Sequence, residues 1–372
     1  MTTLAERLRA MDKLNHRAKQ MPHAITAAEA QKEDKASAFG PAFVRAGALL
    51  AESDGDGLDY VVDGLLPMGG TAILAGRPKG GKSTLALNLA LSVARGVPFF
   101  GRQTRQGPVL YVALEGARGA WKQVLGALGV TDGDDLYLCI DRAPEAAIEW
   151  LRNAIRMHEP VLVIIDTMQR LLRVKDGNDY ATGSNATDAL IELARSAGVA
   201  HLMLHHSGKT QRSDLIDQVL GSTAWAAAVD TVLVLRKGDR FRTLASQGRV
   251  GEDLPETVAE MDAVTRRVQA AGTKADTDLA EMGEAIELYL KQHAEANPDD
   301  PAIDEPTIDA NVEGQTKIKR KALRERVATS RIQRIGSGKK GDPYRYRVSC
   351  SLVPGHGWEQ ENGHPEKGQK AS

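Results

Sequence analysis

The chain has 372 residues, of which 42% are hydrophobic and 4% aromatic, so it has room for one large domain with a buried core and a smaller domain beside it. Its net charge of −1 does not indicate a partner class, and two distant cysteines, Cys139 and Cys350, exclude a disulfide framework and a cysteine metal site. No apolar run approaches the ~20 residues of a membrane span, and the first thirty residues lack a signal core, so we expect a soluble, cytoplasmic protein without a membrane partner.

Residues 1–50 are predicted to form a polar, alanine-rich helical arm. Leu4, Leu8, Met11 and Leu14 follow one another at helical spacing. Such a stripe is either a weak amphipathic face for a neighbouring subunit or part of a frayed terminus.

A glycine-rich segment from Gly76 to Thr84 reads Gly-Arg-Pro-Lys-Gly-Gly-Lys-Ser-Thr and fits the phosphate-loop pattern. A short apolar strand precedes it, and a leucine- and alanine-rich helix over 85–95 follows it. Backbone N–H groups and the helix N-terminus form an anion site in this arrangement. We expect Lys82 to reach the β- and γ-phosphates of ATP and Ser83 to bind Mg²⁺. The predicted nucleotide-binding residues are Gly76, Lys79, Gly80, Gly81, Lys82, Ser83 and Thr84.

Apolar strands and amphipathic helices alternate from residue 71 to about residue 247. This alternation predicts an α/β domain over 51–271 with a predominantly parallel sheet, covered by helices on both faces. A pair of strands over 257–262 and 265–270 is predicted to form an antiparallel hairpin at the sheet edge.

Two carboxylates follow apolar strands of this domain. Asp166 ends the run from Val161 to Ile165, and Glu115 follows Leu114. Because ligands bind at the carboxyl edge of parallel sheets, we expect both near the phosphate loop. Asp166 is the candidate for holding Mg²⁺ and Glu115 for polarising the attacking water; the alternatives are a strand-end aspartate and a solvated loop glutamate.

His205 and His206 end another strand, where His206 or the next hydroxyl could contact the γ-phosphate. A metal site with His201 is disfavoured, since residues 201 and 205 lie about 13 Å apart on a strand. Arg236 and Lys237 follow the strand 231–235 and are either a cationic finger inserted into a neighbouring subunit's site or a solvated turn.

Loops over 170–183 and 208–221 leave the same sheet edge and carry a few cations that could follow a nucleic-acid backbone.

Beyond residue 271 the composition changes. The sequence predicts a polar linker over 272–278, an acidic helix over 279–296, a loop over 297–306 and a disordered tail over 351–372. Residues 316–347 contain twelve Lys and Arg against two acids. Residues 272–350 are therefore predicted to form an acidic helix and a basic, winged-helix-like DNA-binding module.

The motifs Gly76–Thr84, Leu114-Glu115-Gly116, Val163–Thr167, His205–Lys209 and Gly221–Ala224 occur in one order that resembles the RepA-type hexameric helicases of the RecA/DnaB-like ATPases. The resemblance covers residues 55–250. It implies a RecA-like core, a ring of six subunits with ATP sites between them, and translocation on single-stranded DNA. It also implies that Glu115 is the catalytic glutamate, Asp166 the Walker B acid and His206 a sensor, and that the finger lies near Lys237 with Arg236 beside it.

These observations predict a DNA-dependent ATPase, of the replicative or repair helicase type, with a primase or initiator as a further partner. One alternative is an ATP-gated initiator or loader that assembles on DNA without unwinding it. Another is a small-molecule kinase, for which the sequence contains no acceptor-pocket signature.

Overall fold

The computed structural model describes residues 44–51, 58–173, 180–206, 227–249 and 251–349. The chain divides into two units, Met1–Gly57 and Leu58–Ser372. In the first unit the described element is a short helix, α1 (Ala46–Ala51). The predicted N-terminal stripe and the C-terminal tail over 351–372 lie outside the described residues.

A nine-stranded sheet forms the centre of the second unit, together with a small β1–β2 pair (Tyr60–Val62 and Leu66–Pro67). The strand order of the nine-stranded sheet is β11-β10-β9-β8-β3-β7-β6-β4-β5. In chain order the strands are β3 (Thr71–Gly76), β4 (Val109–Ala113), β5 (Leu136–Cys139), β6 (Leu162–Asp166), β7 (Ala200–His206), β8 (Thr231–Lys237), β9 (Arg242–Gly248), β10 (Thr257–Met261) and β11 (Val268–Thr273).

The strands from β8 to β5 in this order run parallel to one another. Gly76 pairs with His206 of β7 and with Leu235 of β8, and Ala113 pairs with Asp166. Parallel strands in register bring their carboxyl ends to one edge, so the segments after β3, β4, β6 and β7 meet there.

Helices cover both faces of the parallel strands, as their continuous apolar runs predict. The helices are α2 (Lys82–Arg95), α3 (Arg118–Leu128), α4 (Ala147–His158), α5 (Met168–Leu171) and α6 (Tyr180–Ala197). Successive β3 residues face opposite sides: Leu74 belongs to the apolar cluster that contains buried residues of α2 and α3, and Ile73 belongs to the cluster that contains buried residues of α4 and α6. The predicted α/β fold with a mostly parallel, RecA-like core is confirmed.

Three antiparallel strands, β9 to β11, extend the sheet beyond β8. The predicted hairpin at the edge is therefore correct, with its strands at Thr257–Met261 and Val268–Thr273.

The prediction of a loop over 170–183 is wrong in part, because α5 ends at Leu171 and α6 begins at Tyr180. The loop over 208–221 lies outside the described residues.

A small helical and β module follows directly on β11. Its elements are α7 (Lys274–Ala296), β12 (Ile303–Asp304), α8 (Glu305–Asn311), α9 (Thr316–Ala328), β13 (Ile332–Ile335) and β14 (Arg345–Val348), with sheet order β12-β14-β13. The predicted linker over 272–278 is wrong, because Thr273 both ends β11 and caps α7 by accepting a bond from the Asp276 N–H. The predicted loop over 297–306 is also wrong in part, because Asp304 caps α8 in the same way.

An apolar core of its own holds this C-terminal module together. Ile286 and Leu290 of α7 pack with Ile308 of α8, Leu323 of α9 and Tyr346 of β14. Among the described helices of the whole chain, none is long and apolar enough to cross a membrane.

Candidate nucleotide-binding site

The phosphate loop connects β3 to α2, as its motif predicts. Gly81 precedes the helix with φ 106°, a left-handed conformation that favours glycine. A Cβ atom on Gly76 would lie 2.6 Å from the carbonyl oxygen of Leu235, so β8 leaves no room for a side chain there. No side chain caps the start of α2. The first N–H groups of α2 therefore remain available to an anion, which fits a phosphate.

The Lys82 side chain is 5% exposed and lies beneath the loop. Its Nζ donates to the carbonyl oxygens of Gly76 at 2.8 Å and Arg77 at 3.0 Å, and it lies 3.0 Å from Nδ1 of His206. Burial lowers the pKa of Lys82 to about 8, although Asp166 and Glu115 partly oppose this shift. A phosphate at the loop would favour the charged ammonium further.

Asp166 ends β6 beside α2 and is 3% exposed. Burial raises its pKa, and hydrogen bonds from the side chains of Ser83 and Tyr111 oppose that rise. The Tyr111 hydroxyl donates to Oδ2 at 3.0 Å. A carboxylate beside a hydroxyl oxygen is the kind of ligand set that Mg²⁺ prefers, so Ser83 and Asp166 fit the ion expected there.

Glu115 lies beyond the end of β4 at the same edge, with its side chain 39% exposed. Its Oε1 is 3.3 Å from Nε of Arg170 and 3.4 Å from Oγ1 of Thr167. Its Oε2 is 3.9 Å from Nε2 of His206. The structure therefore brings Glu115, Asp166, Lys82 and His206 into one site.

The neighbouring histidines differ in their surroundings. Burial and the Lys82 ammonium lower the pKa of His206, which favours the neutral imidazole that accepts the Lys82 bond through Nδ1. Burial lowers the pKa of both His201 and His205 to about 4, and Nδ1 of His201 is bonded to the Leu190 carbonyl. Within the part of the chain that the structure describes, no three His, Cys, Asp or Glu residues form a metal-binding group.

The two candidate finger residues lie at the end of β8. Arg236 Nη1 is 3.3 Å from Oε1 of Glu256, and the Arg236 side chain is 23% exposed. Lys237 is exposed and pairs across the ladder with Arg242. The residues therefore lie on the sheet edge that carries the phosphate loop, and Lys237 is the more accessible of the two.

Three further side chains contact the site, and the sequence reasoning missed them. Tyr111 bonds Asp166, Arg170 pairs with Glu115, and Arg242 donates from Nε to the Gly80 carbonyl at 2.9 Å. The sequence could have indicated the role of Tyr111, because its hydroxyl is the one polar side-chain group in the apolar run 109–113. Arg242 had none, because its position depends on the antiparallel pairing of β9 with β8.

Comparisons with known proteins agree with this geometry. A family described as an AAA domain matches residues 41–212. The DNA repair protein RadA of Mycobacterium tuberculosis, in strains CDC 1551 / Oshkosh and ATCC 25618 / H37Rv, is 29% identical over 178 residues. That stretch covers 44% of this chain and 34% of the relative's length, so the chain matches about a third of RadA.

The core has the fold of the RecA-like P-loop ATPases. The phosphate loop, the sheet order and both similarities support this statement. ATPases of this type bind a nucleotide, usually with Mg²⁺.

Proposed function

We propose that the protein is an ATP-dependent DNA translocase or helicase of the RepA-like type, acting on single-stranded DNA in replication or repair. One observation carries the enzymatic part of the proposal: Lys82, Asp166 and Glu115 converge at the carboxyl edge of the sheet, beside an uncapped helix N-terminus. The similarity to RadA, a DNA repair protein, supports the choice of DNA.

Each residue of the site has a role in this proposal. The loop residues Gly76 to Thr84 and the start of α2 bind the phosphates, and Lys82 neutralises the charge that develops on the γ-phosphoryl group. Ser83 and Asp166 hold Mg²⁺, which neutralises charge on the phosphate oxygens when it is bound. His206, between Lys82 and Glu115, responds to whether the γ-phosphate is present.

Glu115 is the proposed base. Its carboxylate orients a water molecule and accepts its proton as the water oxygen bonds to the γ-phosphorus and the bond to the β–γ bridging oxygen breaks, which yields ADP and phosphate. Arg170 and Thr167 contact the same carboxylate, which fixes its position at the rim.

Hydrolysis at interfaces within a ring of six subunits completes the proposal. Of the two finger candidates, Lys237 is favoured over Arg236, because Arg236 already forms an ion pair with Glu256 of its own chain. In the ring, DNA would contact the segment between Leu171 and Tyr180 and the segment 208–221. The C-terminal module, with its order helix, strand, helix, helix, hairpin, is proposed to be winged-helix-like. A primase or initiator partner and a cytoplasmic location belong to the same proposal.

The test measures ATP hydrolysis with and without single-stranded DNA, and strand displacement on a forked duplex. We expect DNA-stimulated hydrolysis that Lys82→Ala abolishes, whereas Lys122→Ala, at an exposed position on α3, retains most of it. Failure of any nucleic acid to stimulate hydrolysis would reject the translocase.

The alternative function is an ATP-gated initiator or loader. It predicts DNA-dependent hydrolysis and nucleotide-dependent assembly without strand displacement. The same two assays therefore separate it from the helicase.

A further inference from the structure

One face of α9 in the C-terminal module consists of cations. Lys317, Arg320, Lys321 and Arg324 follow one another at spacings of three, one and three residues, so they lie on the same side of the helix. All four are exposed. We call this set the α9 face.

Other cations of the module are used inside it. The buried Lys319 donates from Nζ to the carbonyl oxygens of Asp309 and Val312. Arg326 lies 3.1 Å from Glu287 and donates to the Ala280 carbonyl. Arg345 pairs with Asp300. These three residues hold α9 and β14 against the rest of the module.

The α9 face has little internal compensation. Among its four cations, Arg320 has an ion pair, with Glu305 at 2.9 Å. Lys317 and Lys321, like Arg320 and Arg324, are separated by four residues, a spacing at which like charges destabilise a helix by a few tenths of a kcal/mol. Glu325 is the one acid within α9. A bound polyanion would relieve this repulsion.

The chemistry of the face favours duplex DNA as that polyanion. From position 317 to position 324 the helix rises about 10 Å, which is close to the ~12 Å width of the major groove of B-DNA. Long cationic side chains on such a helix reach phosphates on both sides of the groove. Proteins that bind single strands provide aromatic platforms for stacking, and the α9 face contains no aromatic residue.

We propose that the α9 face is a binding site for double-stranded DNA, with Lys317, Lys321 and Arg324 contacting phosphates. This site needs no nucleotide, so the proposal goes beyond the ATPase function and does not depend on it. The full-length protein could then hold a duplex on the module while the ATPase core acts on a single strand.

The test is the affinity of the full-length protein for a fluorescent 30-base-pair duplex and for one of its single strands, without nucleotide, over a series of salt concentrations. The variant replaces Lys317, Lys321 and Arg324 by Gln. Log affinity falls as log salt concentration rises, and removing three phosphate contacts is expected to reduce the magnitude of this negative slope by about 2.7. It should also weaken duplex binding at least about tenfold.

The control replaces Lys122, Arg156 and Lys291 by Gln, which removes the same charge from exposed positions elsewhere in the chain. It should leave duplex affinity within about twofold of the parent. Unchanged hydrolysis of ATP without DNA and an unchanged melting temperature show that both variants fold. A further variant, Lys339→Gln with Lys340→Gln, tests the exposed hairpin tip separately.

Equal losses in the variant and the control would overturn the proposal, because they would show only a dependence on total charge. Unchanged duplex affinity in the α9 variant would overturn it too and would leave the face to an acidic protein partner. A larger loss for the single strand than for the duplex would reject the duplex assignment.

Discussion

The predicted Mg²⁺ site depends on one hydroxyl group, that of Tyr111. It donates to Oδ2 of Asp166 at 3.0 Å, and both side chains are buried. The Tyr111→Phe substitution removes that hydroxyl and keeps the ring, whose centroid lies 5.2 Å from that of Trp121. The hydroxyl also lies 3.4 Å from the carbonyl oxygen of Ser83, so the perturbation is confined to these two polar contacts.

The size of the effect follows from the charge of the acceptor. A hydrogen bond to a charged group contributes about 1.5–3 kcal/mol, which corresponds to a factor of about 10 to 150. Loss of a residue that orients a metal ligand lowers metal affinity by about 10- to 100-fold, a range that overlaps with the first. We expect the Mg²⁺ concentration for half-maximal ATP hydrolysis to rise at least about tenfold.

The pH dependence gives an independent measurement. Burial raises the pKa of Asp166, and the Tyr111 bond opposes that rise by stabilising the carboxylate. Without the bond the pKa of Asp166 rises further. The ionised, ion-binding form is then lost at a higher pH, and the acid limb of the rate profile moves upward.

The assay measures hydrolysis against Mg²⁺ concentration at several pH values for Tyr111→Phe and for a matched control, Tyr137→Phe. Tyr137 lies on β5 with 42% of its surface exposed, so loss of its hydroxyl should change neither the Mg²⁺ dependence nor the pH dependence of hydrolysis. If the Mg²⁺ dependence and the acid limb of Tyr111→Phe both coincide with those of the parent, the assignment of Asp166 as an ion ligand supported by Tyr111 is refuted.

Three further predictions concern other side chains. Glu115→Gln should keep ATP affinity and lower the hydrolysis rate by about 10²- to 10⁴-fold, as loss of a general base does; an unchanged rate would remove Glu115 from the reaction. Arg242→Gln should raise KM for ATP several-fold by releasing the phosphate loop, whereas Arg240→Gln should not; equal effects in steady-state kinetics would contradict this reason. The Arg95 hydrogen bond lowers the pKa of Asp134 from 3.8 to about 2. The bond therefore stabilises the folded state above about pH 4, and this stabilisation is lost as the pH falls toward 2. Asp134→Asn should lower the free energy of unfolding in urea by about 1.5–3 kcal/mol at pH 7, with a difference that narrows in acid; a constant difference would exclude the charge as the cause.

The sequence was sufficient for the parallel core because its elements are local and strongly patterned. The runs before Gly76, Glu115 and Asp166 are apolar throughout, and each stops where a polar residue or glycine begins. Parallel pairing then brings those ends to one edge, so Glu115 and Asp166 could be expected near Lys82 before any distance was known.

Pairing across the antiparallel strands and capping were less accessible. The contact of Arg242 with the phosphate loop requires the register that places it opposite Lys237, and no local pattern encodes that register. The predicted linker over 272–278 failed because the polar residues there begin a helix, with Thr273 as its cap. Likewise, the Pro- and Asp-rich segment after residue 297 contains Asp304, which caps a helix in which Pro306 occupies the first turn.

The bonds of Lys82 indicate what nucleotide binding must change. An ammonium group has three donors, and in this structure Gly76, Arg77 and His206 accept all three. A triphosphate that takes a bond from Lys82 therefore displaces one of these partners. The two carbonyl groups belong to the loop that is proposed to bind the phosphates, whereas His206 lies at the end of β7 with 32% of its side chain exposed, so we expect His206 to be the partner that is displaced. Loss of that bond would free the imidazole 3.9 Å from Glu115, so we propose that the occupancy of the loop is coupled to the proposed base.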